Sequence, residues 1–237
     1  LSDERLEEAA TQYRLLLNAD ENDLNAAAQW ARILLRLGQT DEARTLSADL
    51  LRRSPSAYQS QLLAARLALA DGNAADALAG LRQAAASAAT NAGALVQIGD
   101  LYLTLGRPDD ALAAYTDAIT LEPRHVNALV GLARIALNRN NPAEAERLLD
   151  RALAAAPLNP AARAAYGALL LRSGRAAAAI PVLAELAASP AATPAALQDL
   201  ADAYLAAGQV EAGLTIYRTR LGLTAAEQPL RIGQALV

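Results

Sequence analysis

The chain has 237 residues, of which 54% are hydrophobic and only 3% aromatic, so its core must be built from small aliphatic side chains that suit packed helices better than β-sheets. Its 21 basic residues are all Arg, against 25 acidic residues, and it has one His and no Cys, which excludes Schiff-base lysines, thiol nucleophiles, disulfides and His clusters. The net charge of −4 argues against nucleic acid as a partner, and no apolar run approaches the roughly 18 residues of a membrane span, so we expect no membrane insertion.

A period of 34 residues organises the chain from Leu24 onward. Before it, residues 1–23 have the apolar spacing of a second helix, in Ala9, Tyr13, Leu16 and Leu17, without a first helix ahead of them. After it, residues 228–237 begin like a further first helix. Six frames align without insertion or deletion, and we expect them to form one continuous domain of repeats at 24–57, 58–91, 92–125, 126–159, 160–193 and 194–227.

Three columns of the repeat predict how its two helices meet. Helices approach closely only where neither carries a bulky side chain, so a column of Ala and Gly in each helix predicts an antiparallel pair in contact at those positions. Gly and Asn tolerate the left-handed conformation that ends a helix, so a third column predicts the turn between the two helices. The first column is Ala31, Ala65, Gly99, Ala133, Gly167 and Ala201, the second is Ala43, Ala77, Ala111, Ala145, Ala179 and Gly213, and the third is Gly38, Gly72, Gly106, Asn140, Gly174 and Gly208.

The complete pattern resembles the tetratricopeptide repeat (TPR) family. The resemblance is clearest in residues 92–125, through Leu95, Ile98, Gly99, Tyr102, Ala111, Tyr115, Ala118 and Pro123. It implies an all-α, right-handed superhelical solenoid of antiparallel helix pairs, whose first helices line a concave groove. Such grooves bind an extended or helical segment of another protein. The chain departs from the family pattern where Ala or Leu replaces its aromatic residues and where frames 58–91 and 194–227 lack the closing Pro.

Helical geometry locates the stripe of residues that should face this groove. At about 100° per residue, Gly93, Val96 and Asp100 point about 140° away from the face that packs against the second helix. Across the six frames the stripe contains five arginines and two aspartates, so its net charge is +3, whereas the rest of the chain has −7. The predicted partner-binding residues are Arg32, Leu35, Arg36, Arg66, Leu69, Val96, Asp100, Leu103, Val130, Arg134, Leu137, Asn138, Leu171, Arg172, Asp202 and Leu205.

The stripe allows two interpretations. In the first, its arginines bind an acidic or carboxylate-rich segment. In the second, which we favour, Arg66, Asp100 and Arg134 pair laterally and only tie neighbouring repeats together. The Leu found at one stripe position in all six frames is either an apolar track for the partner or, more commonly in helix arrays, packing between neighbours. The family's carboxylate-clamp subset uses Lys and Asn, and because Asn25, Asn127 and Asn138 are present without any Lys, a chaperone-tail receptor is not supported.

Other candidate residues favour structural roles. Trp30 falls in an apolar column and is expected in the core, and His125 follows a Pro in a turn between repeats, where we expect an exposed loop residue. Asp109 and Asp110 begin a second helix, where they complement the helix dipole. No opposed carboxylates point to catalysis, so we predict no catalytic residue, no metal site and no cofactor. Four tyrosines are expected between helices, namely Tyr102, Tyr115, Tyr204 and Tyr217.

The leading functional hypothesis is a non-enzymatic scaffold that binds a peptide or helical segment of a partner protein in its groove, and the first interpretation of the stripe gives that partner an acidic character. One alternative is the docking region of a larger bacterial enzyme or of a polysaccharide or protein secretion machine. Another is a structural array, in which the two ends expose apolar surface and copies stack end to end. The sequence does not indicate a cellular compartment.

Overall fold

The computed structural model describes residues 3–189 and 192–222, which form thirteen α-helices and, within those ranges, no strand. The chain divides into two compact units, residues 1–121 and residues 122–237. Unit 1 contains α1 (Asp3–Ala19), α2 (Leu24–Arg36), α3 (Thr40–Arg53), α4 (Tyr58–Ala70), α5 (Ala74–Ser87), α6 (Ala92–Thr104) and α7 (Pro108–Leu121). Unit 2 contains α8 (Val126–Asn138), α9 (Pro142–Ala155), α10 (Pro160–Arg172), α11 (Ala176–Ala187), α12 (Pro194–Ala206) and α13 (Val210–Thr219).

The even-numbered helices begin at the first residues of the six sequence frames, and each is followed by a second helix that packs against it. Within a unit, each first helix also packs against the second helix of the preceding repeat, as α4 does against α3 and α10 against α9. The predicted fold class, an all-α solenoid of helix pairs, is thus confirmed. The helix predicted in residues 228–237 lies outside the described residues, and the single continuous domain stays a prediction.

The turn inside each repeat has the conformation that its Gly column predicts. The five glycines of that column have φ between 66° and 77°, and Asn140, in the same column, has φ 56°. In the third repeat, the Gly106 N–H donates to the Leu103 carbonyl at 3.0 Å, and the Arg107 N–H donates to the Tyr102 carbonyl at 2.8 Å. The same two bonds recur in all six repeats and satisfy the last carbonyls of the first helix.

A further column, which the sequence analysis missed, caps the first helices. The residue before five of the six helices accepts a hydrogen bond from a backbone N–H of the first turn, and Ala57 before α4 is the exception. One of these caps is His125, whose Nδ1 accepts from the Ala128 N–H at 3.4 Å. His125 is therefore a half-buried helix cap, and the expectation of an exposed loop residue was wrong. The five capping residues are Asp23, Asn91, His125, Asn159 and Thr193.

The two small-residue columns lie where the paired helices touch. All nine of their alanines are at most 1% exposed. At Gly99 the space of a side chain is taken by the Tyr115 ring, since an added Cβ would lie 2.7 Å from Tyr115 Cε1. At Gly213 an added Cβ would lie 2.8 Å from the Ala201 carbonyl oxygen. These positions admit nothing larger because the partner helix already occupies the volume.

The first helix, α1, packs on α2 through part of the predicted apolar set. Leu17 is buried, but Leu16 is 52% exposed and its neighbour Leu15 is 55% exposed, so Leu16 does not belong to the packed face as predicted. Trp30 packs against the same core cluster without being fully buried, as does Tyr13.

We predict that Gly99→Ala destabilises the chain because the new Cβ overlaps the Tyr115 ring. The overlap should cost about 1–3 kcal/mol, partly offset by up to ~1 kcal/mol of helix propensity, and urea unfolding followed by circular dichroism measures the net loss. The double variant Gly99→Ala/Tyr115→Leu has the same residue pair as Ala65 and Leu81 in the preceding repeat. Its loss of unfolding free energy should therefore be smaller than the sum of the losses of the two single variants.

Gly93→Ala is the matched control in the same helix, since its added Cβ would meet nothing nearer than 3.6 Å and should not destabilise. Equal stability of the Gly99 and Gly93 variants would refute the close contact.

Candidate binding groove

The first helices of unit 1 form a groove, and all of its lining residues belong to α2, α4 and α6. One end is a polar pocket in which Arg32 and Arg66 lie among four side-chain amides, and the other is a more apolar pocket of about 510 Å³ that shares the same two arginines. We call this surface the unit 1 groove. Its lining comprises Asn25, Ala28, Gln29, Arg32, Leu35, Arg36, Tyr58, Gln59, Leu62, Leu63, Arg66, Leu69, Ala70, Gln97, Leu101 and Thr104.

Arg66 is the half-buried cation of the unit 1 groove. Its Nη2 donates to Gln97 Oε1 at 3.0 Å, and it forms no ion pair with any described residue. Burial lowers the pKa of the Arg66 guanidinium, and Arg32 lowers it further, whereas Asp100 opposes the change. The positive charge of Arg66 is therefore held in a place where it is poorly compensated. Arg32 and Arg36, which line the same groove, are exposed and have no hydrogen-bond partner among the described residues.

The two aspartates of the stripe are bonded to tyrosines of the second helix. The Tyr115 hydroxyl donates to Asp100 Oδ1 at 2.6 Å, and the Tyr217 hydroxyl donates to Asp202 Oδ1 at 2.5 Å. The sequence carries the signal for this contact, because these two repeats alone have Tyr at that second-helix position and Asp at that stripe position. Asp100 does not pair with Arg66, so the predicted lateral ion pair between those two residues is absent.

Lateral ion pairs do occur in both units, but away from the grooves. Arg44 Nη2 lies 2.5 Å from Asp71 Oδ1, which joins α3 to the following repeat. Arg175 Nη1 lies 2.7 Å from Glu146 Oε1, which joins the start of α11 to α9. The ion pairs between neighbouring repeats thus use charges outside the grooves, whereas Arg66 joins α4 to α6 through the Gln97 amide.

Unit 2 has a groove of about 500 Å³ between α8, α10 and α12. Its floor is formed by Ala side chains of α10, and Arg134, Arg172 and Asp199 supply its charges. Arg172 donates from Nη2 to the Leu137 carbonyl at 3.3 Å, whereas exposed Arg134 has no partner among the described residues. We call this surface the unit 2 groove, lined by Val130, Arg134, Leu137, Asn138, Ala161, Ala164, Ala165, Ala168, Arg172, Ala195 and Asp199.

Asp199 is a groove residue that the sequence analysis missed. It is half-buried, and burial raises the pKa of its carboxyl, with Asp202 raising it further. It forms no hydrogen bond or ion pair within the described part of the chain. The equivalent positions in unit 1 are Gln29 and Gln97, which line the unit 1 groove. The groove-facing surface is therefore one residue position wider than the predicted stripe.

The predicted partner-binding residues do not all reach the grooves. Ten of the sixteen predicted residues line a groove. Five line the unit 1 groove, namely Arg32, Leu35, Arg36, Arg66 and Leu69, and five line the unit 2 groove, namely Val130, Arg134, Leu137, Asn138 and Arg172. Of the remaining six, Val96 is 5% exposed and Leu205 is 0% exposed, so both pack within their units. The Leu column is split, because Leu171 packs partly on the core whereas Leu35 and Leu69 also line the unit 1 groove.

The described residues contain no group of three metal-ligating side chains, and none of the described helices is long and apolar enough to cross a membrane. The groups that line the two grooves and are available for binding are guanidinium, amide, carboxylate and aliphatic groups.

Comparison with known proteins identifies relatives of this architecture. A sequence model of the tetratricopeptide repeat family matches residues 28–92, 96–160 and 132–196. No curated protein matches the chain.

Among solved structures, Pseudomonas aeruginosa pilF is 20% identical with a TM-score of 0.69, over 89% of this chain and 95% of its own. PilW, a type IV pilus biogenesis factor, is 18% identical with a TM-score of 0.73, over 91% of this chain and 99% of its own. The Cut9–Hcn1 structure of the APC/C is 17% identical with a TM-score of 0.78, over 97% of this chain and 46% of its own. At these identities the similarity shows the fold alone.

We predict that Asp199→Asn stabilises the chain at neutral pH. Because the pKa of Asp199 is raised in the folded state, the folded state binds its proton more tightly than the unfolded state, in which the pKa is about 3.9. Wild-type stability should therefore fall as the pH rises through the folded-state pKa, and the variant should not share that loss. Urea unfolding at a series of pH values measures the difference, which should shrink toward pH ~4.

Arg134 and Arg172, which line the same groove, are present in the wild-type chain and in the Asp199→Asn variant alike, so they do not cause the difference between the two. Asp150→Asn, at an exposed site on α9, is the control. A stability gain at Asp199 that persists unchanged in acid would contradict the effect of burial.

Proposed function

The chain belongs to the tetratricopeptide repeat family, and from that premise we propose that it is a non-enzymatic scaffold whose unit 1 groove binds an acidic segment of a partner protein. Members of this family generally mediate protein–protein interactions and are typically not enzymes. The similarity to the pilus proteins and to Cut9–Hcn1 supports the scaffold fold, and the partner has to be argued from this chain's own groove.

The observation that carries the proposal is the group of three groove arginines that pair with no described carboxylate. Arg32 and Arg36 are exposed, and Arg66 is half-buried with an amide as its hydrogen-bond partner. Other arginines of unit 1, such as Arg44 and Arg107, do form ion pairs. A carboxylate placed between Arg32 and Arg66 would offset both the burial of Arg66 and the repulsion between the two cations.

The rest of the unit 1 groove suits a peptide rather than a small anion. Leu35 and Leu69 are half-buried beside the arginines and offer apolar contact to neighbouring side chains of the segment. Four amides surround the polar pocket, and one pair is already aligned, since Gln59 Nε2 donates to Asn25 Oδ1 at 3.1 Å. Amides of this kind can hydrogen-bond a peptide backbone.

We predict that Arg66→Glu weakens binding of acidic peptides without lowering stability. A random peptide library is enriched on the immobilised wild-type chain, and the enriched acidic peptides are titrated by fluorescence anisotropy. Affinity should fall at least about tenfold, because the change removes the half-buried cation and adds a like charge. Thermal unfolding should show an unchanged melting temperature.

Arg82→Glu on α5 makes the same charge change at an exposed site outside the groove and should leave binding unchanged. The proposal fails if no peptide is enriched, or if the Arg66 and Arg82 variants bind equally.

A further inference from the structure

The unit 2 groove contains a half-buried charge opposite in sign to that of Arg66. Asp199 projects from α12 into this groove, and no described residue donates a hydrogen bond to it or forms an ion pair with it. Its carboxylate neighbour on the same helix, Asp202, is occupied by the Tyr217 hydroxyl. Asp199 is thus the groove carboxylate that is left for an external donor.

The cations that line the same groove do not compensate Asp199. Arg172, on α10, points one guanidinium nitrogen at the Leu137 carbonyl. Arg134, on α8, is exposed and lies beyond ion-pair distance of any described carboxylate. A half-buried carboxylate loses hydration, and a hydrogen bond from a cationic side chain offsets that loss because it also supplies the opposite charge. Burial and Asp202 accordingly raise the Asp199 pKa.

The groove also has room for the donor. Its volume is about 500 Å³, and the α10 side chains on its floor end at Cβ, at Ala161, Ala164, Ala165 and Ala168. A segment lying on this floor approaches the helix closely, so a long cationic side chain can extend along the groove to Asp199.

We infer that the unit 2 groove binds a Lys or Arg side chain of a partner segment at Asp199. This inference rests on the proposed function and adds a second charge requirement to it. A purely acidic segment would leave Asp199 without its donor, so the unit 2 groove favours a segment that carries a cation.

Two synthetic peptide pools test the inference on the full chain. Both are randomised over Asp, Glu, Ala and Leu, and the second pool contains Arg and Lys as well. The wild-type chain should bind the second pool at least about tenfold more tightly, because only that pool supplies a donor for Asp199. Asp199→Asn should remove this preference and leave binding of the first pool unchanged.

The variants separate the two grooves. Arg66→Gln should weaken binding of the first pool without removing the preference for the second, whereas Asp199→Arg should reverse that preference toward the acidic pool. Asp150→Asn on the exposed face of α9 is the matched control for loss of one carboxylate. Thermal unfolding followed by circular dichroism checks that each variant is folded. If Asp199→Arg does not fold, Asp199→Asn alone tests the site.

The possible results distinguish this inference from the proposed function. If neither pool binds the wild-type chain, both are overturned. If both pools bind equally and Asp199→Asn changes nothing, the cation site is overturned while the acidic-segment scaffold stands.

Discussion

The structure depends on the close contact between the two helices of each repeat, which the columns of Ala and Gly make possible. Where a glycine stands in these columns, the partner helix takes up the space of the missing side chain, as the Tyr115 ring does at Gly99 and the Leu183 side chain does at Gly167. The contact fixes the rotation of each first helix. That rotation in turn decides which residues line a groove and which are buried, and the positions of Arg66 and Asp199 follow from it.

Much of this arrangement could be predicted from the sequence because it is periodic. The Gly column predicted the left-handed turns, including Asn140 with φ 56°, and the small-residue columns predicted the buried contacts. Helical geometry also located all five arginines that line the two grooves. These features depend on local conformation and on one helix packing against the next, which repeat identically in every frame.

The features that could not be predicted involve single side chains reaching across helices. Asp100 was assigned to the groove, yet its carboxylate accepts from Tyr115, and the donor is fifteen residues away on another helix. Whether the groove arginines form ion pairs with neighbouring repeats depends on distances between side-chain atoms, and the periodicity of the sequence does not give those distances. Asp199 was missed because its column lies at the edge of the stripe, where a modest error in the centre of the face changes the assignment.

Adjacent positions of α8 test the central contact most directly. Ala133 is 0% exposed in the small-residue column, whereas Arg134 next to it is exposed in the groove. The free energy of unfolding of Ala133→Leu and Arg134→Leu, measured side by side in urea, should fall by about 1–3 kcal/mol or more for the first and change by no more than ~0.5 kcal/mol for the second. Equal stability of the two variants would contradict the account, since it would mean that the helices do not touch at the small residues.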